Sequence, residues 1–321
     1  SEMCIRDRWC ISNMIQDIFP KVLNNQYVEC SPCDNDIIFF FKGSSLLARY
    51  EGEDVLVYPQ YKEFVLGINK ADNKDTVDNY TFVYLLSVDD TRYFLARKSG
   101  ELLKGQYIGE MADSDIHKEY DTVIDGFDFV GVNSFRKAEP KAQAFAAITA
   151  FHIYGWYRDN HFCGRCGKPT IHDDRERMLK CPSCGNMIYP KICPAVIVAV
   201  TDHDRILLTK YAGRTYRNYA LIAGFNEAGE TLEQTVKREV MEETGLKVKN
   251  IRYYKSQPWG LSGSILSGFY CELDGDDTIT LQEEELSLGK WVKAEELSLE
   301  DDGISLTREM ILKFREDCLT E

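Results

Sequence analysis

Three glutamates, Glu239, Glu242 and Glu243, stand at i, i+3 and i+4 within the run from Gly224 to Leu246, GFNEAGETLEQTVKREVMEETGL. On an α-helix that spacing places all three carboxylates on one face, where like charges repel. A divalent cation removes the repulsion, and hard oxygen ligands suit Mg2+ or Mn2+. The stretch therefore predicts a helix that ends at Gly245 and is entered through a glycine-bearing loop at Gly224, with a short strand over Ala220 to Ala223 before it. The competing reading is a solvated acidic helix face with no ligand.

A chain of 321 residues is long enough for two or three domains. Its formal charge of −14 repels nucleic-acid backbones and anionic lipid, so an anionic ligand must be held by local groups or through metal. No apolar run approaches the roughly 18 residues of a membrane span, and the sequence shows no basic segment followed by an apolar signal-peptide core; the expectation is a cytoplasmic protein with no membrane partner. Eleven cysteines, an odd number without a secretory signal, point to metal binding more than to disulfides.

Cys163-Gly-Arg-Cys166 and Cys181-Pro-Ser-Cys184 are separated by fourteen residues, and a glycine follows Cys166 and Cys184. Paired CxxC knuckles at this separation surround Zn2+ with four thiolates, a closed site that serves structure and leaves no position for water. The glycines are expected to let backbone N–H groups approach the sulfurs. His161 and His172 flank the knuckles without being needed as ligands. Cys30 and Cys33 form a single CxxC with no second pair and read as ordinary thiols.

Taken in order, residues 1–13 share no pattern with the rest of the chain and read as a non-native leader; Cys4 and Cys10 are set aside with it and Met14 is the expected start. Residues 14–139 hold apolar runs at Ile37 to Phe41, Val55 to Tyr58 and Phe82 to Val88, with a turn at Asp89 and Asp90, and predict a strand-rich domain. A connecting helix comes next over 140–160, opened by Pro140 and marked by Phe145, Ile148, Phe151 and Tyr154. His152 on it reads as structural. The zinc ribbon spans 161–190. Residues 191–321 then supply a hairpin from Ala195 to Val200 through Asp202 to Arg205, further strands near Ile251, Ile265 to Cys271 and Lys290 to Val292, and a last helix with Leu306, Met310, Phe314 and Cys318 on one face.

Gly224, Glu230 and the block Arg238-Glu239-Val240-Met241-Glu242-Glu243-Thr244-Gly245-Leu246 match the Nudix signature at every fixed position. Ser256-Gln257-Pro258-Trp259-Gly260-Leu261-Ser262-Gly263-Ser264 is similar to the SQPWPFPxS array of the NADH pyrophosphatases among Nudix hydrolases, and differs from it at Gly260, Leu261 and Ser262, where that group has Pro-Phe-Pro. The loss of a ring and two prolines suggests a flexible segment that holds a nucleoside less firmly. The order of parts, strand-rich domain, ribbon, box and array, also resembles that group.

The resemblance implies an α+β fold: a Nudix α/β/α sandwich with a mixed sheet, preceded by the ribbon and by a degenerate Nudix-like N-terminal domain. It implies Glu239 and Glu243 as principal Mg2+ or Mn2+ ligands, Glu242 as ligand or base, and the Ala223 carbonyl as a further ligand. Glu285 best matches one more metal-binding glutamate, with Glu283 and Glu284 leaving the register open. Arg238 would orient a carboxylate and Glu230 brace the loop. Tyr189 and Phe225 fall where rings stack on a base, with core packing the alternative, and Gln257 to Ser264 would contact substrate. The implied protein is a homodimer that hydrolyses the diphosphate bond of NADH or NAD+ to AMP and the nicotinamide mononucleotide, with NAD-capped RNA a further substrate. Another nucleoside diphosphate derivative such as ADP-ribose is the alternative, and a non-catalytic nucleotide sensor or nucleic-acid-binding ribbon is the reading from a different class. The preferred dinucleotide and the catalytic metal are left open by the sequence.

Overall fold

Ile37 to Phe41 are β-branched or aromatic, and a strand's period of two must send their side chains alternately to opposite faces. In the computed structural model, which describes residues 14–70, 76–98, 124–213, 219–282 and 284–320, this alternation is met by breaking the run. After β1 (Leu23–Asn24), β2 covers Ile37–Phe39 and β3 Phe41–Lys42. Ile38 and Phe40 enter one core with Phe64, Tyr80 and Phe94, while Phe39 faces Tyr58 and Tyr93. The leader at residues 1–13, with Cys4 and Cys10, and Glu283 lie outside the described residues.

The chain divides into two units. One comprises Ile18–Lys191 together with Gly260–Ser262; the other comprises Ile192–Trp259, Gly263–Glu321 and the segment ending at Asp17. The first continues through β4 (Ser45–Tyr50), β5 (Leu56–Val57), helix α1 (Tyr61–Lys70), β6 (Tyr80–Val88), β7 (Thr91–Lys98) and β8 (Asp128–Gly131). Its strands form one sheet in the order β1-β6-β7-β2 and another with β4 between β3 and β5, β8 also pairing β4. Asp89, at φ 50°, turns the β6–β7 hairpin where the acidic pair predicted it.

Helix α2 (Lys141–Asp159) starts after Pro140 as expected. Alanines 142, 144, 146, 147 and 150 and Ile148 are buried along it, so it is both a strong helix former and narrow enough for close approach. The ribbon follows as three short antiparallel strands, β9 (Ile171–His172), β10 (Leu179–Lys180) and β11 (Met187–Ile188), with β10 central.

The second unit is built on β12 (Cys193–Asp202), β13 (Arg205–Tyr211), β14 (Ile222–Phe225), helix α3 (Leu232–Thr244), β15 (Val248–Trp259), β16 (Ser264–Leu273), β17 (Leu286–Lys293) and helix α4 (Leu306–Thr320). The sheet order is β15-β16-β12-β13-β17, with β14 also on β12. The β12–β16 pair is parallel and the others antiparallel, which makes the sheet mixed. The uninterrupted apolar run in β12 has its cause here, because both sheet faces are covered. Val196, Val198 and Val200 pack towards Val236 and Val240 of α3, whereas Ile197 and Ala199 pack towards Leu306, Met310 and Phe314 of α4. This is the expected α/β/α sandwich. Among the described residues no helix is long and apolar enough to cross a membrane.

One local expectation fails. The strand before the helix covers Ile222–Phe225, so Gly224 lies within β14 opposite Val196 and not in a loop.

Candidate functional site

Helix α3 is fixed at both ends by its own sequence. Thr231 and Gln234 form a capping box, with the Gln234 N–H donating to Thr231 Oγ1 at 3.3 Å and the Thr231 N–H to Gln234 Oε1 at 2.7 Å. Gly245, at φ 71°, ends it. With Val236 and Val240 turned into the sheet core, the three glutamates fall into unlike environments. Glu239 and Glu243 are buried, at 8% and 2% exposure, and Glu242 is exposed.

Gly224 is glycine because of this arrangement. A Cβ there would fall on the Glu239 carboxylate carbon and both its oxygens, so only a hydrogen allows the carboxylate to lie against β14. Burial pushes the Glu239 pKa above the usual carboxylate range, and the neighbouring charges of Glu242 and Glu285 add to that while Arg238 opposes it.

Arg238 is the hub. Its Nε donates to Glu230 Oε1 at 2.7 Å and one Nη to Glu230 Oε2 at 3.0 Å, a bidentate pair. The same Nη reaches the Phe225 carbonyl at 2.9 Å, and the other donates to Glu239 Oε1 at 2.7 Å and Glu242 Oε2 at 3.0 Å. Glu230 also accepts from the Thr235 hydroxyl at 2.8 Å and from the Glu227 N–H at 3.2 Å, and chiefly through Arg238 its pKa is pulled down to about 2. Thr235 and the Phe225 carbonyl escape a reading by motif, since neither is a charged group.

Ala223 pairs with Ile197 in the β14–β12 ladder, one residue before the glycine. The Gln282 N–H donates to the Glu243 carbonyl at 3.1 Å and the Glu285 N–H to the Gln282 carbonyl at 3.0 Å, which ties Glu285 to the end of α3 and brings its charge to bear on Glu239. Glu284 is exposed.

Cys163, Cys166, Cys181 and Cys184 converge with all four sulfurs within 4.8 Å of one another. The Cys163–Cys184 and Cys166–Cys181 sulfurs are 3.6 and 3.4 Å apart, near the roughly 3.8 Å edge of a tetrahedron with Zn–S bonds of about 2.3 Å. The donor set fits structural zinc. Neither His161 nor His172 joins it; His172 Nδ1 faces the Asp173 carbonyl. The glycines act as expected, by turning the chain so that neighbouring N–H groups reach the sulfurs. Gly167 and Gly185, at φ 69° and 72°, turn the knuckles and give their N–H groups to the Cys163 and Cys181 carbonyls, while the N–H groups directed at sulfur come from Arg165, Cys166, Lys168, Ser183 and Cys184. Cys30 and Cys33 are free thiols outside any metal group among the described residues.

The array from Ser256 to Ser264 occupies the end of β15, a turn and the start of β16, and its members divide. Pro258 and Ser262 are exposed, Trp259, Leu261 and Gly263 half-buried, and Gly260 and Ser264 buried. Gln257 is 0% exposed. Its Oε1 accepts from the Leu306 N–H at 2.9 Å, and its Nε2 donates to the Ile304 carbonyl at 2.7 Å and to Gln16 Oε1 at 3.1 Å. That side chain is hydrogen-bonded to the start of α4. Gly260 is buried, while Ser262 two residues on is exposed. Tyr189 and Phe225 are 52% and 56% exposed, so neither ring is packed in a core; the Tyr189 hydroxyl donates to Glu176 at 3.0 Å.

Residues 191–314 match the family model for the NUDIX domain, and residues 158–189 match the NADH pyrophosphatase zinc ribbon domain. Two curated proteins, each named NAD-capped RNA hydrolase NudC, from Salmonella schwarzengrund and Salmonella typhi, are 40% identical over 156 residues, which is 49% of this chain and 60% of the relative. The chain thus spans about 60% of the length of these relatives. A solved NUDIX hydrolase from Nitrosomonas europaea is similar with a TM-score of 0.43 and 24% identity, covering 50% of this chain and 92% of that one.

Proposed function

We propose, from the match of residues 191–314 to the NUDIX domain and of residues 158–189 to the NADH pyrophosphatase zinc ribbon, that the protein hydrolyses the diphosphate bond of NADH or NAD+, adding water across P–O–P to give AMP and the nicotinamide mononucleotide. The observation that carries this reading is the pair of buried carboxylates on α3, Glu239 and Glu243, of which Glu239 lies against Gly224 and is paired with Arg238.

Burial raises the cost of the charge on Glu239, and Glu242 and Glu285 raise it further, so the donor set fits a divalent cation. Glu239, Glu242, Glu243, Glu285 and the Ala223 carbonyl would hold Mg2+ or Mn2+, which when bound neutralises the diphosphate and lowers the pKa of water. The chain's own contribution is placement. Arg238 fixes Glu239 and Glu242 through one Nη while Glu230 fixes Arg238. Glu242, the exposed member, is the carboxylate free to face solvent and to take a proton from an approaching water. In the unit that holds α3, the exposed ring of Phe225 with Pro258, Trp259, Gly263 and Ser264 would receive a nucleoside; Tyr189, Gly260, Leu261 and Ser262 are substrate-binding residues on the resemblance alone. Gln257 is left out of that set, for the reason its burial gives.

The names of the Salmonella relatives support NAD-capped RNA as a further substrate, since a capped 5′ end presents the same bond. Homodimer assembly, a cytoplasmic location and a Nudix-like descent for residues 14–139 belong to the same reading. The alternative substrate is ADP-ribose, favoured by the changed residues Gly260 to Ser262. A panel of NADH, NAD+, ADP-ribose and diadenosine polyphosphates with Mg2+ or Mn2+ decides: AMP release from NADH with the highest kcat/KM is expected, and ADP-ribose cleavage without NADH cleavage overturns the substrate. Glu243→Gln is expected to lower kcat by about 100-fold or more, the equivalent of several kcal/mol.

A further inference from the structure

Within the unit that holds the ribbon, five side chains gather into one cationic and aromatic cluster. The Arg97 guanidinium of β7 lies over the Tyr157 ring of α2 at 4.7 Å, and that ring stacks on His172 of β9 at 5.6 Å and 28°. His172 meets Tyr27 at 5.2 Å, and the Arg177 guanidinium, from the loop before β10, lies over Tyr27 at 6.0 Å. Arg177 is the anomaly. One of its Nη atoms donates to the Leu85 carbonyl, at the irregularity in the β6–β7 register between Tyr84 and Leu86. Its Nε is enclosed and has no hydrogen-bond partner. Among the described residues Arg177 makes no ion pair, and the groups that favour its charge against burial are the phenols of Tyr157, Tyr84 and Tyr27, none of them a carboxylate. The chain has 52 acidic against 38 basic side chains, yet it places no acid against this one. An enclosed cation without a counter-charge is strongly destabilising. Two further polar atoms of the cluster are enclosed and unpartnered: the Tyr157 hydroxyl, on a residue 1% exposed, and His172 Nε2. Buried polar atoms are almost always hydrogen-bonded. Water could meet the hydroxyl and the ring nitrogen, but water brings no negative charge to Arg177.

We propose that this cluster is a binding site for a small phosphate-type oxyanion, anchored on Arg177 Nε, held in the field of Arg97 and met by the Tyr157 hydroxyl. Hydrogen phosphate suits the set because it carries acceptor oxygens for the guanidinium and the hydroxyl together with a P–OH that can donate to His172 Nε2. The rings already pack on one another, so a base has no slot between them, and the ligand is the free oxyanion and not a nucleotide. The site joins α2 and β7 to the ribbon strand β9 and the loop that follows it, so its ligand would brace the ribbon against the strand-rich part of the same unit. It is independent of the glutamates on α3 and of any dinucleotide chemistry.

The test is isothermal titration of orthophosphate into the zinc-loaded full chain, in chloride buffer of constant ionic strength without added divalent cation. One site with a Kd below about 1 mM is expected. Tyr157→Phe removes a hydroxyl that bonds nothing in the fold, so its melting temperature without phosphate stays within about 2 °C of wild type, while the Kd for orthophosphate rises about tenfold or more. Arg177→Lys keeps a positive charge and one donor for the Leu85 carbonyl but loses Nε, and its Kd rises by about tenfold or more as well. AMP is expected to bind about tenfold more weakly than orthophosphate at the site that Tyr157→Phe abolishes. No binding of orthophosphate up to about 10 mM, or an affinity that neither variant moves, overturns the proposal. A fall in the melting temperature of Tyr157→Phe of about 5 °C or more without phosphate gives the hydroxyl a structural role and overturns it too. AMP bound more tightly than orthophosphate, and lost in Tyr157→Phe, overturns the choice of a free oxyanion.

Discussion

Replacing Gln257 with leucine separates a residue that builds the fold from one that touches substrate. Leucine approximates the volume of the amide, so the substitution leaves little cavity and acts through hydrogen bonds. The side chain is fully buried, and it accepts from the Leu306 N–H and donates to the Ile304 carbonyl and to Gln16. Leu306 is 0% exposed and Ile304 8%, so neither backbone group finds water once the amide is gone. Each stranded group costs about 1–3 kcal/mol, and because Gln16 is itself only partly enclosed the two backbone partners dominate. The total is about 2–6 kcal/mol. For a unit of roughly 150 residues, at about 2–4 °C per kcal/mol, that corresponds to a fall in Tm of about 4–24 °C. Differential scanning fluorimetry reads the stability, and steady-state NADH kinetics at a temperature well below the transition read the site; KM is expected to stay within about twofold of wild type. A variant as stable as wild type with a KM raised tenfold would refute the reasoning and return Gln257 to the substrate.

Four further outcomes are expected. Gly224→Ala drives a methyl into the Glu239 carboxylate, so kcat/KM for a dinucleotide falls about 100-fold or more with unchanged circular dichroism; a wild-type rate would show that Glu239 can act from elsewhere. Arg238→Lys replaces a fork that serves Glu230, Glu239, Glu242 and the Phe225 carbonyl with a single ammonium, and kcat/KM drops about 10–100-fold in the same assay. Cys181→Ser, or prolonged chelation, removes zinc and lowers the melting temperature of the unit that holds the ribbon, as read by a colorimetric zinc assay alongside calorimetry. Burial holds the pKa of His172 below its ordinary 6.5, with Arg97 and Arg177 adding to the effect against the Asp173 carbonyl. The unfolded chain therefore takes up a proton near pH 6.5 that the folded chain refuses, and the stability present above that pH is lost as pH falls below it. His172→Phe, which keeps a ring against Tyr157, flattens that loss in urea titrations at pH 7 and 5.5.

How much of this could be read from the chain depended on the range of the interaction. The helix, its stop at Gly245 and the cysteine knuckles follow from spacing within a few residues, and the Thr231–Gln234 capping box was equally open to reading. Three carboxylates on one face were also visible, but their inequality was not. Glu239 and Glu243 are buried because Val236 and Val240 roll that side of α3 onto the sheet, while Glu242 one residue away stays in water. Gly224 looked like a loop residue because glycine usually marks turns; its actual cause is a side chain fifteen positions later in the sequence. The contacts of Gln257 and Gly260 are hidden for the same reason. Their partners, the start of α4 and the middle of α2, lie far off in the chain, and no periodicity announces a contact of that length.

The Arg238 hub has one more consequence. One Nη of Arg238 lies between Glu239 and Glu242, so a positive charge already offsets the repulsion of that pair. On the proposed reading a divalent cation would meet a scaffold already set by Arg238, whereas four thiolates gathered in the cysteine knuckles would need their ion to stay together. The two metals should accordingly be separable by history: a protein stripped of both regains the hydrolytic ion instantly on mixing, but the ribbon only at the pace of refolding.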